Sequence, residues 1–122
     1  MKMEFKIQKF EKFTQIEVLE EKLDTNIAPN LKSELVLISG NGEQNIVLDL
    51  SSCRYCDSSG LSAILVANRL CKNAGGTFVL TGLTDAVERL ITISQLDTVL
   101  NIAYSKDEAV QIIEKAENEA KK

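Results

Sequence analysis

The sequence contains no histidine and no tryptophan, only one proline, and an odd number of cysteines, three. Without histidine, neither a Ser-His-Asp triad nor a Cys-His pair can form, and the usual zinc sites lose a common ligand. An odd cysteine count argues against a disulfide framework, and free thiols fit a reducing compartment. We therefore expect a cytoplasmic protein that is not an enzyme and that binds no metal or cofactor.

Basic charge and long hydrophobic runs are also scarce. Fourteen Lys and Arg stand against eighteen Asp and Glu, which gives a formal net charge of −4, whereas the phosphates of nucleic acid favour a basic surface. An uncharged run such as Ser58 to Asn68 is too short to span a bilayer, and the first residues alternate charged with apolar side chains, unlike a signal peptide. Neither nucleic-acid binding nor membrane insertion is expected.

Short segments of strand character alternate with helical segments along most of the chain. Strands are predicted at residues 14–20, 45–50, 77–80 and 98–103, with a further strand or strand partner from Phe5 to Phe10. Helices are predicted to begin near Pro29, after Ser59, at Thr84 or Asp85, and after Ser105. This alternation predicts an α/β domain in which about four helices pack against a mixed, mostly parallel sheet.

Each predicted helix carries apolar residues at helical spacing, and these residues are expected to be buried. The first helix is expected to bury Ile27, Leu31, Leu35 and Ile38, and the second Leu61, Ile64, Leu65, Asn68 and Cys71. The third is expected to bury Val87, Leu90 and Ile91, and the fourth Ala109, Ile112, Ile113 and Ala116. Candidate caps are Asp24, Thr25 and Asn26 for the first helix and a Ser105–Glu108 capping box for the fourth.

The segment Asp57-Ser58-Ser59-Gly60-Leu61 lies between a predicted buried strand and an apolar helix. Its position puts both serines at a helix N-terminus, where unpaired amides and the positive end of the helix dipole can accept an anion or a phosphorylated hydroxyl. The simpler interpretation is a helix cap made by serine.

The surroundings of this segment carry a family resemblance. Residues 45–61 resemble the central strand, loop and helix start of STAS domains, the family that includes bacterial anti-sigma factor antagonists. Similar matches are Leu23-Asp24 followed by Ala28-Pro29, Ala74-Gly75-Gly76 with Phe78-Val79-Leu80, and Val87-Glu88-Arg89-Leu90 with Leu96. The resemblance covers a core of about residues 14–113. It implies a single STAS domain over residues 1–122, with residues 114–122 as the end of the last helix or a frayed tail.

The resemblance also implies a function. In the antagonists, the second serine of this pattern is phosphorylated by a serine-kinase anti-sigma factor, and that residue is Ser59 here, with Ser58 as the second candidate. The unmodified antagonist binds the kinase and frees the sigma factor, whereas the phosphorylated form is released. Asp24 matches an acid close to this serine, and the expected partner surface comprises Asp24, Asn26, Asp57, Ser58, Gly60 and Leu61. A serine phosphatase is a further candidate partner. The chain is expected to be a monomer or weak dimer.

Other interpretations stay open. The chain could be a STAS scaffold that is never phosphorylated, in a stress-signalling assembly or a lipid-transport complex. Asp49, near the end of a predicted buried strand, could be the phosphoacceptor of a receiver-like domain, although the supporting acids and lysine of that class are missing. Cys53 and Cys56 have the spacing of a redox or metal pair, but no second pair completes a zinc site, so burial as small apolar side chains is the expectation.

Overall fold

Strands and helices alternate along residues 3–120, the part of the chain that the computed structural model describes. The strands are β1 (Phe5–Lys9), β2 (Thr14–Val18), β3 (Lys22–Leu23), β4 (Ile46–Asp49), β5 (Tyr55–Cys56), β6 (Phe78–Thr81) and β7 (Asn101–Ala103). The helices are α1 (Ala28–Gly40), α2 (Ser58–Asn73), α3 (Asp85–Ile93) and α4 (Lys106–Ala120).

The main sheet of the described residues has five strands in the order β1-β2-β4-β6-β7. β1 pairs antiparallel with β2, and the other three pairings are parallel. The predicted α/β fold with a mixed, mostly parallel sheet is therefore confirmed. The connections from β2 to β4, from β4 to β6 and from β6 to β7 all move toward the same edge of the sheet. Because such connections are right-handed, their helices α1, α2 and α3 lie on the same face.

Both faces of the central strands are covered, which explains why these strands read as continuous apolar runs. On one face, Ile46 and Leu48 pack in the larger core with the residues of α1, α2 and α3. On the other face, Val47 packs in a smaller core with Ala109 and Ile113 of α4.

Three predicted features of the fold are corrected. Residues 53–56 lie outside the predicted strands, but Tyr55–Cys56 pairs in parallel with Lys22–Leu23 as a separate two-stranded sheet. The strand predicted from residue 98 begins only at Asn101, because Leu96–Thr98 forms a 3-10 turn. The residue that caps α1 is Ile27, without a side-chain hydrogen bond, rather than one of the three polar residues before it.

The buried faces of the helices agree with the predictions to different degrees. All four predicted residues of α1 are buried. In α2 the buried face is turned toward the small residues, so that Leu61, Leu65 and Asn68 are only half-buried. The residues actually buried along α2 are Gly60, Ala63, Ile64, Ala67 and Cys71. Leu90, Ile112 and Ala116 are likewise half-buried, on the flanks of α3 and α4.

Candidate functional site

The short pairing of β3 with β5 brings two distant segments of the chain together. Leu23 is the partner of Cys56 in the parallel register, and the backbone N–H of Asp57 donates to the Leu23 carbonyl at 3.3 Å. Asp24 and Asp57 therefore follow their strands at the same end of this small sheet. The structure thus places the predicted acid Asp24 beside the start of the serine-bearing helix.

Asp57, and not a serine, is the cap of α2. Its backbone is extended, its Oδ1 accepts the N–H of Gly60 at 3.0 Å, and its carbonyl accepts the N–H of Leu61 at 3.0 Å. A carboxylate at this position satisfies a first-turn amide and interacts favourably with the helix dipole. The interpretation of the serines as the cap is therefore wrong.

The two serines occupy the first two positions of α2. Ser58 is exposed and Ser59 is half-buried. Within residues 3–120, neither hydroxyl makes a hydrogen bond to another group of the chain. The helix start also offers first-turn amides that lack internal partners.

Gly60 faces inward rather than toward solvent. It is buried, and a Cβ at this position would collide with the carbonyl oxygen of Leu23 and lie 2.6 Å from Sγ of Cys56. Only glycine allows the helix start to approach the small sheet this closely. Gly60 is therefore packed at the base of the predicted partner surface.

Asp24 shapes the turn that leads into α1. Its Oδ1 accepts the N–H of Asn26 at 2.9 Å, and its carbonyl accepts the N–H groups of Ile27 and Ala28 at 3.2 and 2.8 Å. Asp24 is half-buried, and Asn26 is exposed. Leu61 is half-buried and packs against the larger core. The structure therefore brings Asp24, Asn26, Asp57 and the serines to one edge of the molecule.

The three cysteine thiols are buried and free. Cys53, Cys56 and Cys71 form no disulfide, and burial raises the pKa of Cys53 and Cys56 to about 12 and that of Cys71 to about 11. The Sγ of Cys53 donates to the Glu20 carbonyl at 3.3 Å. Thiols in such surroundings are poor nucleophiles, and their predicted burial as small apolar residues is confirmed.

Asp49 is tied into the loop after β4. Its Oδ1 accepts the N–H of Ser51 at 2.9 Å, and the same oxygen is so close to Gly82 that a Cβ there would collide with it. The sheet order also lacks the reversal that a doubly wound receiver sheet contains. Both observations argue against a receiver-like phospho-aspartate domain.

Thr84 stands at the predicted start of the third helix. Thr84 does cap α3, but its side chain makes no hydrogen bond to that helix. Its Oγ1 instead donates to the Cys53 carbonyl at 2.8 Å, across 31 positions of sequence. No pattern in the sequence could indicate this long-range contact.

The arrangement of metal-ligating side chains and the length of the helices are two further features of the described residues. Over residues 3–120, no group of three or more His, Cys, Asp or Glu side chains is arranged to hold a metal ion. None of the helices in that same range is long and apolar enough to cross a membrane.

Comparison with known proteins identifies the class to which this fold and this helix start belong. Residues 14–102 match the family model described as "Mlab, STAS domain". The chain therefore belongs to the STAS domain family.

Two similar curated proteins and one similar solved structure are described as anti-sigma factor antagonists. BtrV of Bordetella bronchiseptica, assigned as an anti-sigma factor antagonist, is 30% identical over 82 residues, which are 67% of this chain and 71% of that protein. The anti-sigma-B factor antagonist of Bacillus subtilis is 28% identical over 89 residues, 73% of this chain and 81% of the relative. A crystal structure from Thermotoga maritima with the same assignment has a TM-score of 0.80 at 23% identity, covering 90% of this chain and 94% of the other.

Proposed function

We propose that the chain is an anti-sigma factor antagonist that binds a serine-kinase anti-sigma factor and is released when Ser59 is phosphorylated. The observation that carries the proposal is the pair of serine hydroxyls at the start of α2, which make no hydrogen bond within residues 3–120 and lie beside Asp57 and Asp24. The similarity to two anti-sigma factor antagonists supports the class of partner.

The electrostatics of this helix start favour a switch by repulsion. A phosphate adds about −1.5 to −2 charges and three acceptor oxygens. The Asp57 carboxylate already satisfies the Gly60 amide and already interacts with the helix dipole, so a phosphate on Ser59 meets an existing negative charge. A partner surface that fits a neutral hydroxyl would then face like-charge repulsion and a desolvation cost. The fold itself need not change.

The choice of Ser59 over Ser58 follows the family pattern, in which the serine next to the glycine is modified. Solvent exposure alone does not select Ser59, because Ser58 is the more exposed of the two. The packing of Gly60 against Leu23 fixes the backbone beside Ser59, which favours a hydroxyl with a defined position.

The proposal includes the finer expectations about the protein as a whole. In this proposal, residues 1–122 form a single STAS domain, and the chain works in the cytoplasm as a monomer or weak dimer. It regulates sigma-factor-dependent transcription without catalysing a reaction, and a serine phosphatase would be its second partner.

A second candidate is a STAS subunit that is never phosphorylated and acts as a scaffold in a stress-signalling or lipid-transport complex. The matching family model is described only as "Mlab, STAS domain", so the match over residues 14–102 supports both candidates equally. The two candidates differ in one observable property, the covalent state of the serines.

Phosphorylation mapping separates the candidates. The immobilised chain is incubated with native lysate, the bound proteins are identified, and the chain is then treated with ATP and analysed by intact mass and peptide mapping. The proposal expects one added phosphoryl group on Ser59 in the wild type and in Ser58→Ala, and none in Ser59→Ala. Phosphate on Ser58 would contradict the residue assignment, and an unmodified chain bound to a non-kinase complex would favour the scaffold.

A further inference from the structure

Thr84 makes an unusual use of a helix-capping position. Threonine is favoured before a helix because its hydroxyl accepts a hydrogen bond from a first-turn amide, yet the Thr84 side chain makes no such bond to α3. The acids Asp85 and Glu88 in the first turn give α3 another favourable interaction with its dipole. The hydroxyl of Thr84 is thereby used in a contact outside its own helix.

That contact is with the loop that leads to the candidate phosphorylation site. Thr84 Oγ1 donates to the Cys53 carbonyl at 2.8 Å, and the bond is partly buried. Cys53 is held from the other side as well, since its Sγ donates to the Glu20 carbonyl at 3.3 Å. The adjoining Arg54 N–H donates to the Glu21 carbonyl at 2.7 Å. The Cys53 peptide is therefore fixed between α3 and the segment before β3.

The same loop continues directly into the helix start. From Cys53 the chain forms β5, pairs with β3, and reaches Asp57, whose N–H donates to the Leu23 carbonyl. Ser59 follows two residues later. A short, hydrogen-bonded segment therefore connects the Cys53 peptide to Ser59.

We infer that Thr84 is a positioning residue for Ser59, which fixes the hydroxyl for phosphoryl transfer by holding the Cys53 carbonyl. The inference rests on the proposed function for its kinase step. Phosphoryl transfer depends on the placement of the attacking oxygen, and a misplacement of about 1 Å can reduce a rate by about a hundredfold. Loss of the Thr84 bond should therefore lower the rate of modification more than it lowers partner binding.

The test compares Thr84→Val, which keeps the shape but removes the donor, with Thr84→Ser, which restores it. Thr98→Val is the matched control, because the Thr98 hydroxyl also donates to a backbone carbonyl, that of Gln95 at 2.7 Å, but at an exposed site in another part of the fold. The first measurement is amide hydrogen exchange of residues 54–60 in the isolated protein. The second is kcat and KM for phosphorylation by the kinase recovered on the immobilised wild-type chain.

The expected result for Thr84→Val is faster exchange at residues 54–60 and a fall of about tenfold in kcat, with a smaller change in KM. Thr84→Ser and Thr98→Val should behave as the wild type. Unchanged exchange at residues 54–60 in Thr84→Val would overturn the inference, whatever happens to the phosphorylation rate. A wild-type chain that no bound kinase modifies would instead contradict the proposed function, and the exchange measurement would still decide whether Thr84 holds the helix start.

Discussion

Replacing Gly60 with alanine should destabilise the protein, although alanine is the better helix former. The added methyl would collide with the carbonyl oxygen of Leu23 and would lie 2.6 Å from Sγ of Cys56 and 2.9 Å from Cγ of Leu23. The Leu23 carbonyl cannot simply move away, because it accepts the N–H of Asp57 at 3.3 Å, and the Leu23 side chain is fully buried. The start of α2 must therefore shift.

The change in the free energy of unfolding follows from two destabilising contributions and one stabilising contribution. Inserting a methyl into a packed site costs about 1–3 kcal/mol, and weakening one backbone hydrogen bond costs about 1 kcal/mol. The intrinsic preference of a helix for alanine over glycine returns about 1 kcal/mol. The net expectation is a loss of about 1–3 kcal/mol in the free energy of unfolding.

The assay is urea denaturation followed by circular dichroism, since the chain has no tryptophan to report by fluorescence. Gly40→Ala is the matched control, because Gly40 ends α1 and a Cβ there would meet nothing within 4 Å. Gly40→Ala should be unchanged or more stable by up to about 1 kcal/mol. A Gly60→Ala variant as stable as Gly40→Ala would refute the packing argument for the helix start.

Three further predictions concern side chains around the site and at the opposite end of the sheet. Asp24→Asn keeps an oxygen that can accept the Asn26 N–H, so the free energy of unfolding should change by less than about 0.5 kcal/mol, while the phosphorylation rate or the partner affinity falls. A variant with a lowered Tm and normal partner affinity would show that Asp24 has only a structural role. Because burial raises the pKa of Cys53 and Cys56 to about 12, iodoacetamide at neutral pH should label these thiols only as fast as the chain unfolds, and rapid labelling of the folded protein would contradict their burial. The hydrogen bonds that Glu43 accepts from Lys9 and Thr14 lower its pKa, so wild type should be more stable than Glu43→Gln by at most about 1 kcal/mol. This difference in the free energy of unfolding should be full above the unfolded carboxyl pKa and should vanish as pH falls through the folded pKa. A difference that grows in acid would contradict the lowered pKa.

The regular parts of the fold could be predicted because local pattern and tertiary environment agree. The stripe Ile27, Leu31, Leu35 and Ile38 is fully confirmed as buried, since α1 packs on the sheet along one continuous apolar face. For α2 the pattern of large side chains was misleading. Gly60, Ala63 and Ala67 are buried because α2 packs closely through its small residues, and Leu61 and Leu65 lie on its flank.

The position of the candidate site at a helix start could be predicted, but its geometry could not. The order of Asp57, Ser58 and Ser59 indicates the helix start, but the sequence does not show that Asp57 is the cap or that neither serine hydroxyl bonds to another group within residues 3–120. The pairing of Leu23 with Cys56 involves strands of two residues each, which are too short to produce a periodic signal. The Thr84–Cys53 bond spans the fold, and such contacts depend on tertiary packing that no local pattern encodes.

The central claim is that negative charge on Ser59 releases the partner, and binding affinity tests it most directly. The kinase recovered on the wild-type chain is purified, and its Kd is measured for Ser59→Ala, Ser59→Asp and, as the control for position, Ser58→Asp. Because the Ser59 hydroxyl is not the cap of α2, all variants should fold within about 0.5 kcal/mol of the wild type. We predict that Ser59→Ala binds as tightly as the unmodified wild type and stays bound in the presence of ATP. Ser59→Asp should bind at least about tenfold more weakly, which corresponds to about 1.4 kcal/mol of binding free energy. Ser58→Asp should lose less affinity. Equal affinity of Ser59→Ala and Ser59→Asp would contradict the account.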